Sequence, residues 1–181
     1  ILLKPNGVAT FEFPHLLKLV NENQFDTIYH EHFSYLSLTA LETIFKENGL
    51  QIFDVEEHTT HGGSLRLFAQ RSDTGVQIVS EQVIKLRKRE MDAGMNSDNF
   101  YKNFQEKANI VKDDLLNFLI KAKQDGKKVV AYGAAAKGNT LMNYAGIRPD
   151  LLSYVVDKSP SKQGKYMPGS RIPIHTEQFL K

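Results

Sequence analysis

Residues 127–157 constrain the fold more than any other part of the chain. Val129-Val130-Ala131-Tyr132 is a short apolar run, followed at once by Gly133-Ala134-Ala135-Ala136-Lys137-Gly138-Asn139-Thr140. Leu141, Met142 and Tyr144 continue a helix, and Leu152 to Val156 is the next strand. Strand, tight turn, helix and strand predict a βαβ unit and hence an α/β fold. Small residues in the turn let a backbone approach a phosphate, and the helix start offers free N–H groups and a positive dipole end. Asp157 stands at the carboxyl end of the second strand, the side of an open α/β sheet where ligands bind. The run carries neither the G-x-G-x-x-G nor the Walker pattern, so a turn without ligand stays open. The loop behind it holds Lys158, Lys162, Lys165 and Tyr166, which suits either a polyanion clamp or a solvated connection.

The rest of the chain reads as strands and helices in turn. Val8 to Phe13 alternates and stops at Pro14, and Leu16, Leu17, Leu19 and Val20 suggest a short helix. Thr39 is expected to cap a second helix with Glu42 closing a capping box. Leu41, Ile44 and Phe45 form its buried stripe, and Asn48-Gly49 ends it. Leu50 to Val55 and Ser64 to Gln70 predict two strands around the polar loop His58-Thr59-Thr60-His61-Gly62-Gly63. Residues 80–123 are mostly helical with an interruption at 91–99, and the basic cluster at 85–89 reads as a solvated helix face.

A chain of 181 residues suits one large domain or two small ones. A net charge of +2 gives no field pointing to nucleic acid or an anionic membrane. Cysteine is absent, which excludes disulfides, thiolate metal sites and cysteine nucleophiles within these residues. With no signal peptide and no apolar run of bilayer length, a cytoplasmic protein is expected. Ile1-Leu2-Leu3 opens on an apolar run and Thr176 starts what reads as a helix just begun, which predicts a piece of a longer protein cut at both ends.

Acid–base chemistry concentrates at Tyr29-His30-Glu31-His32. Imidazole titrates near neutral pH, so two histidines, a carboxylate and a phenol in four positions can take up, hold and pass on a proton. On a strand His30 and His32 share one face and Tyr29 and Glu31 the other; in a turn Tyr29 and His32 converge.

These residues resemble a known family. Tyr29-His30-Glu31-His32-Phe33-Ser34-Tyr35-Leu36-Ser37 and His61-Gly62-Gly63-Ser64-Leu65-Arg66 resemble the central signatures of the S-adenosylmethionine-dependent sugar C-methyltransferases. Tyr132 to Thr140 resembles that family's C-terminal signature, as do Val155-Val156-Asp157-Lys158-Ser159-Pro160 and Gln163 to Gly169. Four blocks in the same order span nearly the whole chain.

The resemblance implies a parent protein with a zinc-binding N-terminal domain, a central methyl-donor-binding domain and a Rossmann-like C-terminal domain. Residues 1–75 would be the tail of a class I methyltransferase sheet. Residues 76–181 would be a helical segment and most of the Rossmann-like domain. The activity implied is methylation of a carbon of a nucleotide-linked keto-deoxysugar, in deoxysugar biosynthesis. A base removes the proton beside the ketone, and donors stabilise the enolate oxygen. By this resemblance His32 is the candidate base, Tyr29 and Glu31 position the sugar or orient the imidazole, and His30 is structural. Ser64, Arg66, Lys137 and Asn139 are candidates for the nucleotide diphosphate, with Arg66 otherwise an outward residue on a strand. No residues here are assigned to S-adenosylmethionine, whose glycine-rich site would lie upstream, as would the zinc cysteines. The isolated chain is therefore expected to be inactive.

Two other readings stay open. One is a metal site drawn from His30, Glu31, His32, His58 and His61, although their spacing matches no recognised ligand pattern. The other is a non-catalytic nucleotide-binding module built on Gly133 to Thr140.

Overall fold

The run Ser64–Arg71 becomes the central strand, β3, of a three-stranded antiparallel sheet in order β1-β3-β2, with β1 at Val8–Pro14 and β2 at Leu50–His58. This computed structural model describes residues 3–180. Ile1 and Leu2 of the apolar opening, and Lys181, lie outside the described residues. Contacts divide the chain into two units. The first takes the chain up to Gln24 and Phe33–Phe104, and the second takes Phe25–His32 and the chain from Gln105 onward.

In the first unit, period-two alternation sends Leu65, Leu67 and Ala69 of β3 to one face, where all three are fully buried. A register shift between Ile52 and Asp54 of β2 resets the alternation, so Ile52 and Val55, three residues apart, both reach that core. Helix α1 is Leu16–Asn21, α2 is Leu38–Glu47 and α3 is Glu81–Asp92. Leu38, Leu41 and Phe45 of α2 and Val83 and Leu86 of α3 close the core over the sheet. Each such leucine, fully removed from water, contributes about 1.5–3 kcal/mol.

The cap and stripe of α2 differ from expectation. Its N-cap is Ser37, whose hydroxyl accepts the Ala40 N–H at 3.1 Å. Thr39 instead gives both its N–H and its hydroxyl to the Glu90 carboxylate. Leu38, Leu41 and Phe45 form the buried face, and Ile44, expected on it, is 47% exposed. Gly49, at φ 71°, ends α2 as predicted. On α3 the basic cluster is a solvated face laced with ion pairs, Lys85–Glu81, Arg87–Glu42, Lys88–Asp92 and Arg89–Glu57. The helical interruption sits slightly later than expected, between Asp92 and the start of α4.

In the second unit, α4 (Phe104–Gln124) precedes strand β4 (Ala131–Tyr132), helix α5 (Ala136–Tyr144), strand β5 (Val155–Val156) and strand β6 (Ile174–His175). β4 pairs parallel with β5, and β5 parallel with β6. The expected strands at 129–132 and 152–156 are each trimmed to two residues. Their approach is still held, by Ser153 N–H to Val129 O and Ala131 N–H to Tyr154 O, each 3.1 Å. Leu119, Met142, Ile147, Val155, Ile172 and Ile174 form the core. The fold is therefore mixed α/β. Among the described residues no helix is long and apolar enough to cross a membrane.

Candidate active site

The tetrad follows a one-turn 3-10 helix, Phe25–Thr27, whose buried Phe25 ring packs on Tyr144 of α5 with centroids 5.2 Å apart. The chain then turns sharply: the His32 N–H donates to Tyr29 O at 3.0 Å, which makes Tyr29 to His32 a β-turn rather than a strand. The turn brings its end residues together. His32 Nε2 and Tyr29 Oη are 3.0 Å apart and their rings meet edge to face at 4.7 Å. His30 and Glu31, at the middle of the turn, are exposed. A hydrogen bond between the phenol oxygen and Nε2 fixes the orientation of the imidazole ring.

On the outward face of the antiparallel sheet, Glu12, Arg66 and Glu56 stand in register across three strands. Arg66 spans both carboxylates, at 2.9 Å to Glu12 and 3.2 Å to Glu56. These partners hold its guanidinium above its usual range, first through the hydrogen bond to Glu12. Glu12 also accepts the buried Ser64 hydroxyl at 2.7 Å, and that hydroxyl is 2.9 Å from the Thr60 hydroxyl. Hydrogen bonds from Ser64 and Arg66 hold the Glu12 carboxyl below the usual carboxylate range. The loop before Ser64 needs glycine twice. Gly62 and Gly63 have φ of 89° and 117°, and a Cβ at Gly63 would lie 2.3 Å from Cδ of Lys18, which crosses it.

In the second unit, the turn after β4 is closed from within. Gly133, at φ 94°, donates its N–H to Val156 O at 2.7 Å, and Ala134 donates to the Asp157 carboxylate at 2.7 Å. Asp157 also accepts the Ser159 N–H at 2.8 Å and Lys162 Nζ at 3.3 Å. The backbone N–H groups of Ser159 and Ala134, helped by Lys162, hold its carboxyl below the usual range against its burial. The first residue before α5, Ala135, has no side chain to cap the helix. The N–H groups of its first turn are therefore not taken by a capping side chain. Lys137 and Asn139 lie in that first turn, and the Asn139 Oδ1 is buried without a hydrogen-bond partner. The second unit thus holds Tyr29, Glu31, His32, Lys137 and Asn139, and the first holds Ser64 and Arg66. Among the described residues, no group of three or more His, Asp or Glu side chains could hold a metal ion.

Residues 59–181 match the family described as the C-methyltransferase C-terminal domain. This chain belongs to the C-methyltransferase family. It is 38% identical over 173 residues to the C-methyltransferase NovU of Streptomyces niveus, an alignment covering 96% of this chain and 41% of that protein. The chain thus spans about two fifths of the length of this curated C-methyltransferase.

Several residues around these C-methyltransferase segments escaped the sequence reading. Glu12, which gathers Ser64 and Arg66, reads as a plain outward strand residue. Asn143 of α5 donates to Pro168 O at 2.9 Å, pinning the turn before Gly169. A Cβ at Gly169 would strike the Asn143 amide. His15 and Glu90 form a buried pair at 2.9 Å. The available signal for that pair was a carboxylate on an apolar stripe, since Val83, Leu86 and Glu90 share one helix face.

Proposed function

We propose that this chain is the C-terminal part of an S-adenosylmethionine-dependent enzyme that methylates a carbon beside the ketone of a nucleotide-linked keto-deoxysugar. Its place would be deoxysugar biosynthesis in the cytoplasm. The observation that carries the proposal is the Tyr29–His32 pair, a base and the group that orients it, within hydrogen-bond reach. In this reading the Nε2–H of His32 donates to Tyr29 Oη, which holds the ring, and the free Nδ1 takes the α-proton. The C–H electron pair moves into the enolate, and the negative charge develops on the ketone oxygen. Tyr29 holds the imidazole by its hydroxyl, and the exposed Glu31 binds the sugar.

The uncapped first turn of α5, with Lys137 and Asn139, suits the diphosphate, because N–H groups and a cation at a helix start favour negative charge. Ser64 and Arg66 of the hairpin are further candidates for the nucleotide diphosphate. Residues 1–75 close the donor-binding domain and 76–181 form the Rossmann-like C-terminal domain. The donor supplies an electrophilic methyl on sulfur. The antiparallel strands of the first sheet offer no glycine-rich strand-to-helix turn to hold that donor, and the turn after β4 is already closed by Asp157. We propose that the upstream part of the parent holds the donor site and a zinc-binding domain.

The test is methyl transfer by the full-length parent to a panel of nucleotide-linked 4-keto-deoxysugars, with and without His32→Asn. Transfer lost in the variant supports the reading. No transfer to any sugar by folded, donor-binding wild type overturns it and leaves a nucleotide-binding module.

A further inference from the structure

His15 and Glu90, 75 residues apart, are each 1% exposed, and His15 Nε2 donates to Glu90 Oε1 at 2.9 Å. A buried carboxylate is costly unless its lone pairs are filled. Here they are: Glu90 also accepts Leu38 N–H and Thr39 N–H at 2.8 Å each, and the Thr39 hydroxyl at 2.6 Å. These partners sit at the start of α2, directly after the tetrad's signature segment. His15 is tied in turn to both central signatures. Its N–H donates to Gly63 O at 3.1 Å, inside the His61-to-Arg66 block. It bridges Leu36, four residues beyond His32, and the neighbouring Leu16 N–H donates to Leu36 O at 3.0 Å. A hydrogen-bonded histidine and glutamate fix a direction, joining Leu36 and Gly63 on the His15 side to Leu38 and Thr39 on the Glu90 side.

We propose that His15 and Glu90 are a positioning pair that acts on the methyl-transfer reaction by ordering two segments of the first unit, Leu36 to Thr39, which follows the tetrad in the chain, and the end of the His61–Gly63 loop. Neither residue touches substrate. They act through Leu36, Leu38, Thr39 and Gly63. This rests on the methyl-transfer reading, and its test is arranged so that the two can fail separately.

In the full-length parent, His15→Leu fills the space without a donor, whereas His15→Gln keeps an N–H near the position of Nε2. Small displacements of a catalytic group cost rate steeply, so His15→Leu is expected to lower kcat roughly tenfold to a hundredfold with KM for the sugar nucleotide nearly unchanged. His15→Gln should recover most of that loss. Hydrogen–deuterium exchange should rise in His15→Leu and in Glu90→Gln for peptides covering 33–39 and 60–64, and stay at wild-type level for β4 to β6. Equal kcat in Leu and Gln variants of matched melting temperature, or unchanged exchange at 33–39 and 60–64, would overturn the positioning role. If wild-type parent shows no methyl transfer, the functional reading fails and the exchange comparison still decides whether the pair orders both segments.

Discussion

The imidazole of His32 reaches back over a single β-turn to lie 3.0 Å from the hydroxyl of Tyr29. Sequence separation of three residues makes this contact cheap: the turn's own backbone hydrogen bond already brings the two Cα atoms together, so little further ordering is needed. The pair is thus preorganised by the backbone, and the residues between them, His30 and Glu31, stay at the surface. A general base with its orienting partner typically supplies about 10²–10⁴-fold in rate. In the parent protein His32→Asn is therefore expected to lower kcat by that order, and Tyr29→Phe by less, because the imidazole remains. The double variant should be little worse than His32→Asn alone, since the two act as a unit. Single-turnover methyl transfer from labelled donor reads all three, and additive losses would show that Tyr29 acts independently.

Glu90 links stability to pH. Burial pushes its carboxyl upward, and hydrogen bonds from His15, Thr39 and the backbone N–H groups of Thr39 and Leu38 outweigh that, leaving it below the usual carboxylate range. A depressed folded value means the stabilisation is complete above the ordinary carboxylate value and is lost as pH falls through the lower, folded one. Glu90→Gln strands His15 and part of the α2 start without a charged acceptor, and is expected to cost roughly 3 kcal/mol at neutral pH. The loss should shrink toward acid pH. Melting temperature followed from pH 7 (roughly neutral) downward checks it: parallel wild-type and variant curves would mean Glu90 is not the group that titrates.

How far the sequence discloses this structure depends on the range of the interaction. Local patterns were legible: the alternation of β1 and β3, the βαβ order of β4, α5 and β5, and the Gly49 stop of α2 each follow from neighbouring residues. The α2 cap was not, because Ser37 and Thr39 are both good caps two positions apart. The choice is made by Glu90, which lies 51 residues beyond Thr39 and takes its hydroxyl. Ile44 borders the stripe of Leu41 and Phe45 at helical spacing, and its 47% exposure is set by how α2 packs on the sheet, which the sequence does not show. Residues 129–132 and 152–156 carry strand composition over longer stretches than the parallel ladder uses. At the site, the sequence allowed both a strand and a turn for Tyr29 to His32, and the structure chooses the turn.

Gly133 tests the closed turn after β4. A Cβ there would meet nothing within 4 Å, so any cost of Gly133→Ala is backbone strain at φ 94° alone. A left-handed conformation without glycine costs about 1–2 kcal/mol. Thermal unfolding should drop by that amount, with exchange rising first at β4 and β5. A neutral substitution would mean the turn can move to negative φ without losing the Gly133 N–H bond to Val156 O.

Arg66 separates a structural ion pair from a ligand contact. It lies between Glu12 and Glu56 on the sheet's outward face with 37% of its side chain exposed, and exposed pairs contribute little to stability. Arg66→Gln is thus expected to leave melting temperature within a degree or two at most, roughly the size of such a surface change. Its effect on the reaction carries the information. If Arg66 also meets the diphosphate, KM for the sugar nucleotide rises roughly tenfold while kcat holds, as for a lost charge-assisted hydrogen bond of about 1.4 kcal/mol. Salt should weaken substrate binding in wild type and less so in the variant. Lys137→Ala provides the comparison, because it removes a cation at the start of α5 without touching Glu12. If KM moves for Lys137→Ala and not for Arg66→Gln, the two glutamates already occupy the Arg66 guanidinium. Anion recognition then belongs to the first turn of α5.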